Sequence, residues 1–174
     1  QVLLAVPQSH LILKFRNFFA SPLIKQKIET RFEINGIDPQ RINTLSSADN
    51  MHDHLANYHQ ADIALDIFPF AGATTTFQAL WMGVPVISLL GDRFISRAGG
   101  VISLQAGLKE TIATNKDEFI EKAIVLAGDK TNLRKTRKTL RQKLIDSPLC
   151  NGPTYARNAE NAFQSMWAAH LKKE

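Results

Sequence analysis

The sequence predicts an α/β domain: a parallel sheet with helices on both faces, followed by a C-terminal part made of helices alone. Three observations support this. Short apolar runs of strand length recur along residues 11–113, stretches of helical length separate them, and beyond residue 113 only helical patterning remains. Strands spaced this way cannot be joined by tight hairpins. They need crossover connections, which make the sheet parallel and set helices against its two faces.

The elements follow in order. LILKF at 11–15 is a short buried strand. Ser21 and Pro22 open a helix as a cap and a first-turn proline, and Gly36 closes it. RINTL at 41–45 is the second strand, and Asn50, with Asp53 three residues on, caps a helix reaching about Gln60. DIALDIF at 62–68 is the third strand, 74–82 is a helix stopped at Gly83, and PVISLL at 85–90 is the fourth strand. Phe77, Leu80 and Trp81 are spaced to turn the helix at 74–82 against the sheet. A helix over about 94–106 precedes Gly107, and 111–113 is a short fifth strand. Asn115 caps the next helix with Glu118 at its third position, and Gly128 ends it. Helices at 131–145 and 155–171 finish the chain. Sheets of this order are open and Rossmann-like, and their ligands sit beyond the carboxyl ends of the strands.

The 174 residues suit one domain, at about 150 residues per domain. The lone Cys150 excludes an intramolecular disulfide and a multi-cysteine zinc site. No apolar stretch approaches the roughly 18 residues of a membrane span, so a soluble, cytoplasmic protein with no membrane partner is expected. Gln1 and its neighbours carry neither an initiator Met nor a secretory signal pattern, and the chain reads as a piece of a longer protein. Lys and Arg number 21 against 16 Asp and Glu, a net charge of +5. Seven of those cations lie within 130–143, so the rest of the chain is net acidic. Leu133, Leu140 and Leu144 share one face of that segment, which leaves the cations on a solvated outer face. No aromatic residue is interleaved there to stack on bases, and no nucleic-acid partner is expected.

Chemistry is best sought in DIFPFAGATTTFQALWMGVP at 66–85. A strand ends near Phe68, Pro69 and Gly72 shape a tight loop, and Thr74, Thr75 and Thr76 begin a helix. The first turn of a helix has unpaired N–H groups and the positive end of its dipole, and threonine hydroxyls add donors, which suits a phosphate or diphosphate. Gln78 shares the face of Thr74 and Thr75 and could reach a ribose hydroxyl beside that phosphate. The plainer alternative is that Thr74 only caps the helix and Gln78 is solvated. The loop is neither a dinucleotide-binding GxGxxG nor a P-loop. His52, His54 and His59 lack the i, i+4 pairing of a good metal site, so no metal is expected, while His54 alone is a candidate to face a ligand. Arg93 and Arg97 follow the fourth strand and are candidates to meet phosphates, or to serve an ion pair or a helix end. Ser88, Ser96 and Ser103 have no GxSxG context, so a serine hydrolase has no support.

The run over 62–86, together with GDRFISR at 91–97, GLKETIA at 107–113, SPL at 147–149 and Met166 with Trp167, resembles the C-terminal catalytic lobe of the protein O-GlcNAc transferases, glycosyltransferase family 41. Weaker likeness begins at Val6 and Pro7 and at HLANY over 54–58, and the bacterial, tetratricopeptide-bearing branch is nearest. The resemblance implies a GT-B enzyme of two lobes. Its C-terminal lobe, here residues 1–174 with 131–174 as a helical extension, would bind UDP-N-acetylglucosamine. The sugar would pass to a protein Ser or Thr hydroxyl with inversion, without metal or other cofactor.

Carried over by position, Thr74 and Thr75 hold the diphosphate, Gln78 meets the ribose, His54 lines the nucleotide pocket, and Gly72, Ala73 and Thr76 complete the donor site. Two positions depart from the family pattern. An acidic residue is usual where Gln78 stands, and some members have a histidine where Ala73 stands. The implied partners are the nucleotide sugar, a protein acceptor, and the N-terminal catalytic lobe and repeats of a parent chain. The family's diphosphate-contacting lysine and the first strand of the lobe would lie upstream. That leaves a sheet edge that is exposed or paired with another copy, and a piece that binds nucleotide without transferring sugar. Two other readings stay open: an O-fucosyltransferase of the Spindly type using GDP-fucose, and a degenerate interaction module.

Overall fold

A computed structural model describes residues 1–172. Its five strands pair in parallel throughout, as expected, but in two pieces. β1 (Leu11–Lys14) lies beside β2 (Ile42–Leu45), and a second sheet has the order β3-β4-β5, formed by Ala64–Leu65, Val86–Leu89 and Ile112–Ala113. Among the described residues no strand bridges the two sheets. Eight α-helices accompany them among those residues: α1 (Val2–Ala5), α2 (Pro22–Ile34), α3 (Met51–Ala56), α4 (Thr74–Trp81), α5 (Ala98–Gln105), α6 (Lys116–Gly128), α7 (Lys130–Ile145) and α8 (Gly152–Leu171).

β4 shows why helices cover both of its faces. Successive strand residues point to opposite sides. Val86 packs in one core with Leu80 of α4, Ile102 of α5, and Leu140 and Leu144 of α7. Its neighbour Ile87 packs in another core with Ala123 and Leu126 of α6 and Leu133 of α7. Burial of such side chains contributes about 1.5–3 kcal/mol each. Since α7 supplies leucines to both cores, it is a wall of the lobe.

The strand and helix limits differ from the expected ones for local reasons. The third strand shrinks to β3 because its ladder to β4 ends at Asp66, whose N–H donates to the Ile87 carbonyl at 2.9 Å; Phe68, the next residue whose amide would face β4, makes no such bond. The expected helix to Gln60 is α3 followed by a 3-10 turn at Asn57–Gln60. The one expected over 94–106 is a 3-10 turn at Phe94–Ser96 and then α5. Ser21 sits at the N-cap of α2 without making a side-chain cap bond, and Pro22 alone marks that start. Asn50 and Asn115 do cap, accepting from the Asp53 and Glu118 amides at 2.9 Å. The final helix starts earlier than expected because Asn151 caps it, accepting from the Thr154 amide.

Trp81 is the clearest correction. Leu80 is fully buried, but Trp81 remains 41% exposed, with the Arg141 guanidinium 5.2 Å from its ring centroid. The inner face of α4 is instead Thr76, Ala79 and Leu80, with Phe77 partly buried beside them. A stripe of i, i+3 and i+4 residues spans about a third of a helix circumference, and here α7 rather than the sheet takes its edge.

Candidate functional site

The loop between β3 and α4 leaves the carboxyl end of the strand, where ligands of such sheets sit. Asp66 organises it. This partly buried carboxylate accepts from the Gly72 amide at 2.7 Å, the Ser88 hydroxyl at 3.0 Å and the Ile67 amide at 3.1 Å. Burial pushes its pKa above the ordinary carboxylate value, and the three hydrogen bonds oppose that shift. A Cβ on Gly99, in the first turn of α5, would run into Asp66 Oδ2 and lie 3.1 Å from the Gly72 carbonyl oxygen. Gly99 therefore lets α5 press against the loop. The Ala71 amide donates to the Ile95 carbonyl at 3.0 Å, tying the loop to the segment after β4.

The loop delivers the start of α4. Ala73 is its N-cap and makes no side-chain cap bond, so no side chain satisfies the first-turn amides. Thr74 and Thr75 are exposed, whereas Thr76 is buried at 2% exposure, and a Cβ on Gly72 would run into the hydroxyls of both Thr75 and Thr76. A capless first turn keeps its N–H groups and its positive dipole end for something else. The expectation that Thr74 merely caps the helix therefore has no support in the geometry.

Gln78, one turn along α4, meets His54 of α3: His54 Nε2 lies 3.0 Å from Gln78 Oε1. The other ring nitrogen, Nδ1, lies 3.1 Å from Lys14 Nζ at the carboxyl end of β1. Tyr58 places its ring edge-on to His54, with centroids 6.1 Å apart, and donates its hydroxyl to the Thr75 carbonyl at 3.3 Å. Burial raises the Tyr58 pKa and lowers that of Lys14. His54 and Gln78 thus come together, 24 residues apart in sequence. His52 and His59 do not join them: His52 pairs with Asp53 on the surface, and His59 lies exposed in the following turn. Among the described residues no three His, Cys, Asp or Glu side chains converge in a way that could hold a metal ion.

Arg93 and Arg97 are exposed on the neighbouring loop after β4. The Arg97 guanidinium donates to the Gly91 carbonyl at 3.0 Å, closing its own loop. The reading of the residues passed over Lys14, Asp66 and Gly99. Lys14 and Asp66 carry a signal: each is the charged residue that ends an apolar strand run, LIL and DIAL respectively, at the ligand edge. Gly99 carries none, because only the packing of α5 shows what a side chain there would meet.

This arrangement is that of a C-terminal GT-B lobe, a parallel α/β layer with a polar edge at the carboxyl ends of its strands. Residues 1–159 match the glycosyl transferase family 41 domain, and the chain belongs to that family. It is 37% identical over 174 residues to the Arabidopsis thaliana protein described as probable UDP-N-acetylglucosamine--peptide N-acetylglucosaminyltransferase SPINDLY, covering 100% of this chain and 19% of that protein. It is 40% identical over 167 residues to the Solanum lycopersicum protein of the same description, covering 96% of this chain and 18% of that one. The O-GlcNAc transferase mutant K341M of Thermobaculum terrenum superposes with a TM-score of 0.86 at 32% identity, over 95% of this chain and 32% of that one. The chain thus spans about a fifth of the length of the SPINDLY relatives. No helix among the described residues is long and apolar enough to cross a membrane.

Proposed function

We propose that this chain is the nucleotide-sugar-binding lobe of a protein O-GlcNAc transferase. The observation that carries the reading is the capless, threonine-bearing start of α4 at the carboxyl end of β3, with Gln78 and His54 joined on the adjoining face. In this reading Thr74, Thr75 and the amides around Thr76 hold the diphosphate of UDP-N-acetylglucosamine. Gln78 and His54 line the ribose and nucleotide, and Gly72 and Ala73 keep the loop low enough for the sugar. Arg93 and Arg97 border the same edge.

Transfer breaks the bond between the sugar and the diphosphate, and negative charge grows on the departing UDP. Donors already aimed at that diphosphate favour the transition state over the ground state. The lobe's role is thus leaving-group stabilisation without metal or other cofactor. The hydroxyl of a protein Ser or Thr attacks the anomeric carbon from the opposite face, with inversion. Groups that orient and deprotonate that hydroxyl belong to the other lobe, so this lobe alone binds the donor without turning it over. Repeats upstream would select the acceptor, and a cytoplasmic setting is part of the same reading.

The test is a UDP titration followed by amide chemical shifts. Perturbation centred on Thr74 to Gln78 is the expected result. Shifts confined to α7, or none at millimolar UDP, would overturn the reading. A degenerate interaction module is the second reading, favoured by one feature, the amide at position 78 where the family usually has a carboxylate. A parallel GDP titration tests the GDP-fucose alternative, and binding of neither nucleotide would favour the interaction module.

A further inference from the structure

We propose that Lys14 is a positioning residue of the donor site: by holding His54 in one tautomer, it turns the Gln78 carboxamide so that its NH2 group, and not its oxygen, is offered to the ligand. The proposal rests on the reading of α4 as a nucleotide diphosphate site.

An ammonium can only donate hydrogen bonds. Lys14 Nζ is 3.1 Å from His54 Nδ1, so Nδ1 must supply the lone pair, and the proton of the neutral ring sits on Nε2. That Nε2–H then donates to Gln78, and the only acceptor in a carboxamide is its oxygen, 3.0 Å away. The Gln78 oxygen is committed to His54. Its NH2 group has the Met51 sulfur at 3.9 Å, a weak acceptor, and is free to turn to a ligand.

Three elements are needed for this, β1, α3 and α4, and Tyr58 holds the same ring from its edge. The ion pairs among the described residues, Lys25 with Glu29, His52 with Asp53 and Arg137 with Asp62, all leave Lys14 out. No carboxylate therefore competes with His54 for the ammonium.

The polarity of the edge follows. A carboxylate at position 78 would offer a ligand acceptors only, and would suit ribose hydroxyls as donors. The glutamine in this setting presents its NH2 donors, adding to the hydroxyls and amides at the start of the same helix. The group that meets this NH2 must accept, such as a phosphate oxygen or the lone pairs of a ribose oxygen.

The test combines ring 15N shifts of His54 with UDP affinity in the full chain and its Lys14→Met, Lys14→Arg and Thr74→Val variants. In the wild type the His54 proton should sit on Nε2. Lys14→Met should let the proton redistribute between the two nitrogens and weaken UDP about 3- to 10-fold, the worth of one neutral hydrogen bond. Lys14→Arg, which also only donates, should keep both the tautomer and the affinity. A lysine that served folding alone would lower the thermal midpoint on substitution and leave the tautomer unchanged. A wild-type proton on Nδ1, or a Lys14→Met variant with unaltered ring shifts and UDP affinity, overturns the proposal. The wild-type measurement needs no variant to fold. If Thr74→Val weakens UDP while Lys14→Met does not, the donor-site reading stands and the Lys14 role falls. If the wild type binds neither UDP nor GDP, both fall.

Discussion

The start of α4 and the helix α7 are the two places where an anion would be sought in this protein, and they are built in opposite ways. The first carries no charge at all: three threonines and a first turn without a side-chain cap. The second carries seven Lys and Arg residues, yet two of its three arginines are occupied by the fold. Arg137 donates to the carbonyls of Ala61 and Asp62, and Arg141 donates to the Trp81 carbonyl at 2.6 Å while lying against the Trp81 ring. These carbonyls lie just before β3 and at the end of α4, where no other hydrogen bond to them is made among the described residues. The difference teaches that net charge shows where cations lie and not which donors the fold leaves unused. A flexible, hydrated lysine on a helix surface loses much of its attraction to solvent and salt. A preset helix start has already met the cost of its orientation.

Substitutions can break this contrast, beginning with the largest effect. Replacing Thr74 and Thr75 together by Val keeps their shape and removes two exposed donors. A hydrogen bond to a charged group is worth about 1.5–3 kcal/mol, so UDP affinity should fall by roughly a factor of 100 or more by calorimetry. The thermal midpoint should hardly move, since neither hydroxyl is bonded within the protein. Gly99→Ala should act through the loop instead. Its methyl would collide with the Asp66 carboxylate and the Gly72 carbonyl, costing about 1–3 kcal/mol of stability in chemical denaturation and weakening UDP at the same time.

The basic helix should respond in the reverse sense. Arg137→Met leaves two carbonyls without their donor, which should cost about 1–3 kcal/mol in stability while UDP affinity stays as it was. Should Arg137→Met reduce UDP affinity as much as the threonine pair does, the division of labour between the two regions would be wrong.

The smallest effect concerns pH. The folded-state pKa of Asp66 is raised by burial, so its contribution to stability is fully present below the ordinary carboxylate pKa and is lost as pH rises through the raised value. Asp66→Asn keeps an acceptor for the Gly72 amide and cannot titrate. The stability of the wild type relative to this variant should therefore decline as pH rises from the ordinary carboxylate pKa through the raised value, which parallel urea titrations would follow. A flat difference across that window would remove burial as the governing influence on Asp66.

Much of this could be read from residue order. Five short apolar runs spaced by helices require crossovers, and the pairings are parallel. Asn50 and Asn115 could be recognised as caps because a cap is a local bond, made within three residues. The helix start at Thr74 was legible for the same reason, as a strand, a glycine loop and a run of hydroxyls. Trp81 was misplaced because helical spacing tells which residues share a face and not which neighbour that face meets. The extent of β3 was misjudged because its ladder to β4 stops at Asp66, and how far a strand stays beside its partner is decided in space.

Helix and strand periods, caps and the donor-rich turn at Thr74 to Thr76 depend on residues a few positions apart, so the chain's own order determined them. The link from Lys14 through His54 to Gln78 joins residues 64 positions apart at its ends, and the clasp of Asp66 by Ser88 spans 22. Contacts of that kind have no periodicity to betray them. They exist because parallel crossovers return β1, α3, α4 and β4 to one edge of the lobe. Only the packed structure could decide that a lysine ending an apolar strand, a histidine on a short helix and a glutamine on another form a single polar unit.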